Sequence, residues 1–358
     1  MSEDKPTYEE LISQEIDPIY HELAAKIGGG RSGTTPYILA RMANLEQAKV
    51  VAALPDPDRE ATAGRSLEVS DKFAEKLGLD KETVDKHIRE LYEKGLLFPT
   101  RGGPQIARTQ MQFHDAALGN PKYDDDVGPE FFTLWGGPEG KITRKPRPES
   151  LRPQYSAFRI VPRWQSIKDL PDVLPHEDIR EILKAQDKIA LLHCGCKRSF
   201  PNRDCGIPEE SCVSVGRTAE YNIDRGAGRE ISAEEALRVI ESFDDHDTIN
   251  MVVNQKDVNQ LICNCHWCCC GALAGAAKSR FEAYVDPEKC QACGTCIEHC
   301  QYDAISMKHY DEVDAERAYV DPEICRGCGC CVIHCPNEAR QMKIVRPPEH
   351  IPEAQGIY

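Results

Sequence analysis

The sequence has no long hydrophobic run. No stretch of about eighteen apolar residues, the length that a membrane-crossing helix needs, occurs among its 358 residues. The first ten residues, Met1–Glu10, are polar and acidic and lack the apolar segment of a secretory signal. We therefore expect a protein of the cytoplasm with no membrane span.

Positive charge is scarce. The chain has 44 Lys and Arg against 59 Asp and Glu, a formal net charge of −15. Binding of nucleic acid or anionic lipid depends on cationic surfaces, so this composition argues against both. Residues 285–342 share the bias, with eleven acidic and five basic side chains. An acidic surface favours docking onto a basic patch of a redox partner, at a rate that falls as salt rises.

Cysteine, by contrast, is abundant. The eighteen cysteines stand in clusters with spacings typical of metal ligands, which predicts reduced thiols in a reducing, anoxic cytoplasm. One pattern, C-x2-C-x2-C-x3-C, occurs twice, 35 residues apart, and its flank Val285–Glu288 recurs as Val320–Glu323. Such a repeat predicts two copies of one small unit packed around a pseudo-twofold axis.

This repeat resembles the two-cluster bacterial ferredoxin, in which the fourth cysteine of each run binds the other cluster. The resemblance implies that one [4Fe-4S] cluster is held by Cys290, Cys293, Cys296 and Cys335. It implies that the second is held by Cys325, Cys328, Cys331 and Cys300. Gln301 replaces the proline usual after the first run, and Cys330 is an extra thiol, interpreted as a spectator. A pair of structural zinc sites is the alternative.

The region before the cysteines predicts an α+β protein that begins with a helical segment, residues 1–55. Helices are expected at Tyr8–Ile12, at Tyr20–Ile27, and from Pro36 to Val50 as a single helix. Gly28–Gly33 formally matches a dinucleotide-binding loop. It follows a helix and not a strand, so we interpret it as the end of that helix.

Residues 56–118 have the pattern of a winged-helix-like domain. A helix begins after Ser70 and stops at Gly78, a second begins after Asp80, and two strands flank the turn at residues 101–104. Eight acidic residues balance eight basic ones between Ser66 and Gln110. A helix that reads the major groove should be electropositive. We therefore expect a scaffold or partner-docking role and no sequence-specific DNA binding.

Residues 119–164 are rich in glycine and proline and are predicted to form a strap between domains. Its aromatic side chains are expected to pack against a protein core: Phe131, Phe132, Trp135, Tyr155, Phe158 and Trp164.

Residues 165–284 predict an α/β, cysteine-rich middle domain. Strands Ile189–Leu192 and Leu261–Ile262 each run into cysteines, which we expect to meet at a common edge, and a helix of small residues is expected over Gly271–Ala277. The first cysteine set is Cys194, Cys196, Cys205 and Cys212. The second is Cys263, Cys265, Cys268, Cys269 and Cys270. Thiolates in this number select iron–sulfur clusters or zinc.

The order of parts is similar to that of four-cluster-type ferredoxin proteins of anaerobic bacteria and archaea, over most of residues 66–342. The resemblance is carried by Gly216–Tyr221, Arg225–Arg229 and Ile262–Cys265, while His266 stands where a cysteine is expected. It implies up to four [4Fe-4S] clusters and electron transfer to an oxidoreductase. His299 and His334 are expected to tune cluster potentials through hydrogen bonds to sulfur.

The predicted function is therefore single-electron transfer through several clusters, to or from a flavoprotein or another oxidoreductase subunit in anaerobic metabolism. No catalytic base, nucleophile or cofactor loop stands out, so we expect a component of an oxidoreductase. Two alternatives stay open. One is a redox-sensing winged-helix regulator, and the other is a reductase linked to a corrinoid or to flavin, which has no sequence support. Residues 343–358 are expected to form an extended tail.

Overall fold

The computed structural model of the chain describes residues 6–28, 33–58, 63–137, 156–200 and 206–354. Helices and strands are mixed, which confirms the α+β class. The amino-terminal part is mostly helical and contains α1 (Tyr8–Ile12), α2 (Ile19–Lys26), α3 (Thr35–Met42), α4 (Leu45–Ala53), β1 (Ala63–Ser66), α5 (Asp71–Leu77), α6 (Lys81–Glu93), β2 (Leu97–Thr100), β3 (Gly103–Ile106), α7 (Gln110–Ala117), α8 (Asp124–Val127) and α9 (Pro129–Gly136).

The single helix expected from Pro36 to Val50 is wrong, because the chain breaks it into α3 and α4. Ala43 is extended, and the Asn44 side chain accepts a hydrogen bond from Gln47 N at 2.9 Å. The Gln47 side chain in turn accepts a hydrogen bond from Asn44 N at 3.1 Å. This reciprocal capping satisfies backbone groups that a helix start leaves free, so a new helix begins there. Of the glycine-rich loop after α2, residues 29–32 lie outside the described ranges.

The helix pair and hairpin expected at residues 66–106 are present. Ser70 and Asp80 cap α5 and α6, and Gly78 ends α5 in the left-handed conformation at φ 70°. The buried stripe of α6 is the expected one: Val84, Ile88, Leu91 and Tyr92. Strands β2 and β3 pair antiparallel, with Leu97 opposite Ile106, and β1 lies beside β2.

The segment predicted to be a strap is largely regular structure where it is described. Helix α8 buries Val127 and helix α9 buries Phe131 and Leu134 in the same core as the amino-terminal helices, and that core extends from Leu11 to Leu134. Residues 138–155, which include Tyr155, lie outside the described ranges. Phe158 begins an edge strand and is 7% exposed. The aromatic side chains Phe131 and Phe158 are therefore core residues, as expected.

The middle part is built on a six-stranded sheet with the order β4-β8-β9-β6-β5-β7, antiparallel at every pairing. Its elements are β4 (Phe158–Val161), α10 (Trp164–Ile167), α11 (Ile179–Lys184), β5 (Ile189–His193), α12 (Gly195–Arg198), β6 (Glu210–Val215), α13 (Gly216–Asp224), β7 (Gly228–Glu230), α14 (Ala233–Glu241), β8 (Ile249–Val253) and β9 (Leu261–Cys265). The expected strands are present. The expected helix at Gly271–Ala277 is wrong: only Leu273–Gly275 form a 3₁₀ turn, since its glycines disfavour a helix and Ala277 exchanges backbone hydrogen bonds with Phe158 and Ile160 of β4.

The two faces of this sheet have different neighbours, because successive side chains of a strand point to opposite faces. Val213, Val252 and Ile262 pack with α11 and α14 on one face. On the other face, Ala190 and Leu192 pack against α13 at one end. Met251 and Ile160 pack against the carboxy-terminal module at the other end. The cysteines of the sheet lie between these two ends.

The carboxy-terminal module has two antiparallel ribbons, β10 with β13 and β11 with β12. Its elements are β10 (Phe281–Val285), α15 (Thr295–Glu298), β11 (Ile305–Tyr310), β12 (Ala315–Val320), α16 (Cys330–Ile333) and β13 (Arg340–Ile344). Beyond β13, Val345 N donates to Arg280 O at 3.0 Å, and Pro348–His350 form a 3₁₀ turn. Within the described ranges, no helix has the length and apolar character needed to cross a membrane.

Candidate metal centres

Cysteines from both repeats line one hollow of the carboxy-terminal module. Its walls carry four of the predicted ligands: Cys290, Cys293, Cys296 and Cys335. Gly294 turns the chain in the left-handed conformation, φ 81°, immediately before α15. The closing cysteine comes from the other repeat, as the ferredoxin resemblance implies.

The side chain of Arg340 also lines this hollow. It is 3% exposed, and its Nη2 donates to Cys296 Sγ at 3.3 Å. Its Nη1 is buried without a hydrogen-bond partner in the described part of the chain. A buried cationic donor needs an anionic acceptor. A cluster bound by thiolates would supply one, so the residues present fit a [4Fe-4S] group.

The second predicted ligand set also converges. Burial raises the pKa of the Cys331 thiol well above its usual value, and the nearby sulfurs of Cys325 and Cys300 raise it further. Cys300 Sγ accepts a hydrogen bond from Ala304 N at 3.3 Å. The loop before α16 repeats the turn of the first run, with Gly329 at φ 81°. Thus the structure brings Cys300 of the first repeat to the cysteines of the second.

The extra thiol, Cys330, faces the middle domain. Its Sγ lies 3.6 Å from Thr248 O, and its side chain is 1% exposed. It also contacts Cys328, where the hydrogen bond between the two thiols raises the pKa of Cys328 well above its usual value. Main-chain contact joins the domains here as well, because Arg163 N donates to Cys328 O at 2.9 Å.

Gln301, which replaces the usual proline, ties the same two parts together. Its Oε1 accepts from Trp267 N at 3.0 Å, and its Nε2 donates to Asp247 O. Proline has no side-chain donor or acceptor for either contact. The departure from the ferredoxin pattern therefore has a structural reason in this chain.

Six cysteines of the middle domain meet on one face of the sheet. Val213 lies opposite Ile262, so the antiparallel register places Cys212 opposite Cys263 on neighbouring strands. Residues two apart on a strand share a face, which brings in Cys265. The sulfurs in contact form a row, which runs in the order Cys212, Cys263, Cys265, Cys270 and Cys196. Cys194 lies near Cys263 and Cys270.

Burial and these contacts shift the pKa values of the thiols in opposite directions. Burial raises the pKa of Cys194 to about 12. Hydrogen bonds from Cys212 and Cys265 lower the pKa of Cys263 to about 6 despite its burial. The Cys270 and Cys265 sulfurs are 3.1 Å apart. The cysteines that follow β5 and those on β9 therefore meet as expected, on a face of the sheet and not at its edge, and the described thiols of the two sets lie together.

Two other cysteines of these sets, Cys268 and Cys269, make their described contacts with His266. Cys205 lies outside the described residues. Cys269 Sγ lies 3.9 Å from His266 O, and Cys268 N donates to His266 Nδ1 at 3.2 Å.

We expected His299 and His334 to form hydrogen bonds to sulfur. Their Nδ1 atoms contact oxygen atoms instead. His299 Nδ1 lies 2.7 Å from Asp247 Oδ1, and His334 Nδ1 lies 2.9 Å from Cys330 O. The two rings stack at 3.7 Å between centroids. The repeat brings both histidines to one place, where the middle domain supplies the partner carboxylate.

Two further polar side chains, which the sequence did not single out, lie between the cysteine groups. Tyr302 is 6% exposed, and burial together with the sulfurs of Cys328, Cys270 and Cys265 raises its pKa well above its usual value. Trp267 meets it edge-on, with 5.4 Å between ring centroids. The Tyr302 hydroxyl and the Trp267 Nε1 are buried without a partner among the described residues. Tyr302 and Trp267 belong to no sequence pattern, so the sequence could not predict that they lie between the cysteine groups.

A family model described as a 4Fe-4S dicluster domain matches residues 275–339. Comparisons with curated proteins and with solved structures gave no match. The matched segment is of ferredoxin type and contains both cysteine runs of the repeat. This supports binding of 4Fe-4S clusters and a role in iron–sulfur electron transfer.

Proposed function

We propose that this protein passes single electrons through several [4Fe-4S] clusters, to or from a partner oxidoreductase in anaerobic metabolism. When bound, such clusters take up and release one electron at a time. The observation that carries the proposal is the hollow lined by thiols of both repeats and by Arg340, whose guanidinium Nη1 has no hydrogen-bond partner among the described residues. Cys290, Cys293, Cys296 and Cys335 would hold the first cluster. Cys325, Cys328, Cys331 and Cys300 would hold the second.

The exposure of the cysteines supports an order of transfer. Cys293 is exposed, whereas Cys325 and Cys331 are buried. The nearby turn between β11 and β12 carries Asp311 and Asp314, which are fully exposed. We propose that the partner docks with a basic patch on this acidic module and exchanges electrons with the first cluster. The second would then connect, past Tyr302, to the middle-domain thiols.

The amino-terminal part is proposed to be a winged-helix-like scaffold. The helix that would read DNA, α6, makes ion pairs within itself, Lys81 with Asp85 and Arg89 with Glu93. Its Tyr92 hydroxyl donates to Asp224 at 2.6 Å, which anchors the helix to the middle domain. An exposed face with balanced charges, on a helix already packed against two neighbours, favours a scaffold.

A redox-sensing regulator is the second candidate, and one contact favours it. Helix α7 packs on the turn that holds Cys194 and Cys196, because Gly195 lies against His114 and Leu118. Its Asp115 carboxylate also raises the pKa of Cys194, after the larger effect of burial. A change at these thiols would therefore reach the amino-terminal part directly. A gel shift with promoter DNA, for the oxidised and reduced protein at two salt concentrations, distinguishes a regulator from a carrier.

The main test is iron and acid-labile sulfide analysis with low-temperature EPR on the full chain, purified without oxygen. The ferredoxin module alone should contribute about eight irons per chain. Cys300→Ser should remove one reducible cluster, while the matched control Cys330→Ser keeps both. A colourless protein that contains zinc in place of iron would refute the proposal.

A further inference from the structure

We infer that six middle-domain cysteines from both sets form one iron–sulfur centre: Cys194, Cys196, Cys212, Cys263, Cys265 and Cys270. This inference deepens the proposed function, since it names the arrangement of the metal that the middle domain would carry. The sequence divides these cysteines at two places about fifty residues apart, which suggests two separate sites. The fold puts them on one surface.

The sheet order is what joins the sets. Strand β6, which carries Cys212, lies between β5 and β9. Cys194 follows β5, and Cys263 and Cys265 lie on β9, so three neighbouring strands contribute thiols to one face. Cross-strand neighbours on one face have Cβ atoms roughly 5 Å apart. Ligands from both sets are therefore closer to each other than sequence distance implies.

The contacts join the two sets at both ends of the row. Cys212 of the first set contacts Cys263 of the second. At the other end of the row, Cys196 of the first set contacts Cys270 of the second. A division into two independent sites would have to separate sulfurs that touch. One shared centre needs no such separation.

The row of sulfurs is too extended for a single zinc ion. Zn–S bonds of about 2.3 Å in a tetrahedron put every pair of sulfurs about 3.8 Å apart. Among residues 6–28, 33–58, 63–137, 156–200 and 206–354, no three thiols all lie within 4.8 Å of one another; Asp247, His299 and His334 are the group that does. Neighbouring sulfurs touch, yet the row as a whole is extended. An extended row of soft ligands suits several metal ions, as in an iron–sulfur cluster.

Variants from separate parts of the row test the inference on the full chain, purified without oxygen. Cys196→Ser removes a thiol of the first set, and Cys263→Ser removes a thiol of the second that does not neighbour it in the row. The double variant combines them. Cys330→Ser is the control, since it removes a buried thiol outside the row. Iron, sulfide and zinc per chain are measured with Mössbauer and EPR spectra.

A shared centre predicts that both single variants lose the same amount of iron and the same spectral component. The double variant should lose no more than either one, and the control should lose none. Losses that add in the double variant, each with its own spectral component, would overturn the inference. So would zinc in the middle domain.

The signals of the ferredoxin module serve as the internal reference for folding and for the proposed function. If they persist while the losses add, the inference fails and the proposed function stands. If they are absent from the wild-type chain, the proposed function fails. Should a variant not fold, the fully reduced wild-type protein decides: a shared centre gives one spectral component beyond the two of the module, and separate sites give two.

Discussion

The charge of Arg340 should set the reduction potential of the first proposed cluster. The guanidinium is 3% exposed and donates to Cys296 Sγ at 3.3 Å. Reduction adds one negative charge to the cluster, which a nearby cation stabilises. At about 5 Å and an effective dielectric constant of about 20, the interaction is worth about 3.3 kcal/mol. This corresponds to about 140 mV for a one-electron couple at about 59 mV per factor of ten.

We therefore expect Arg340→Met to lower the potential by roughly 50 to 140 mV, where the upper value assumes no compensation by solvent. Arg340→Lys keeps the charge but loses the forked donor geometry, so its shift should be smaller. Lys343→Met is the matched control. It removes a cation from the same strand, but Lys343 is half exposed and its charge is screened.

The assay is a redox titration followed by EPR, with iron content measured for each variant. A shift to higher potential after Arg340→Met would refute the reasoning. So would a shift no larger than that of Lys343→Met in protein that keeps its iron.

Two further predictions concern buried charged and titratable side chains of the middle part of the chain. Glu177 and Arg280 form a buried ion pair at 2.6 Å, with 2% and 4% of their side chains exposed. Glu177→Gln leaves the buried cation without its partner, so it should lower the free energy of unfolding in urea by about 3–5 kcal/mol, and the double replacement Glu177→Leu with Arg280→Met should recover most of that loss. A loss below about 1 kcal/mol for Glu177→Gln would contradict this prediction. Burial and the charges of Arg159 and Lys256 lower the pKa of His176 to about 4. In the unfolded chain the pKa of this side chain is near 6.5, so the unfolded chain binds the proton more readily. The free energy of unfolding should therefore fall as the pH drops from about 6.5 to 4. His176→Gln should flatten this slope by about 1 kcal/mol, since the half-buried ring is partly screened; an unchanged slope in thermal unfolding across that range would refute it.

Local patterns predicted the elements whose signals are contained in a few neighbouring residues. Ser70, Gly78 and Asp80 begin and end helices as expected, because capping depends on side chains within one turn of the backbone groups that they satisfy. The break at Asn44 was missed although its reciprocal partner, Gln47, stands three residues later. The apolar residues keep a helical spacing on both sides of the break, so the pattern predicted one continuous helix.

The residues that adjust the sites could not be predicted in the same way. Arg340 has no repeat-related counterpart, since Ile305 stands 35 residues earlier, and it reaches Cys296 from β13. Tyr302 and Trp267 come together from segments 35 residues apart along the chain. Contacts of this kind depend on how domains pack, and no short-range pattern encodes packing.

The sequence by itself determined that this protein has ferredoxin-type cysteine runs, because two residues between thiols allow a short turn to direct them at one cluster, and because a duplicated unit must pair with its copy. The tertiary structure alone decided how the middle-domain thiols are grouped. Strand β6 enters the sheet between β5 and β9, and hydrogen-bonded strands bring side chains about 5 Å apart regardless of their separation along the chain. Two cysteine sets that are distant in sequence therefore lie on one surface.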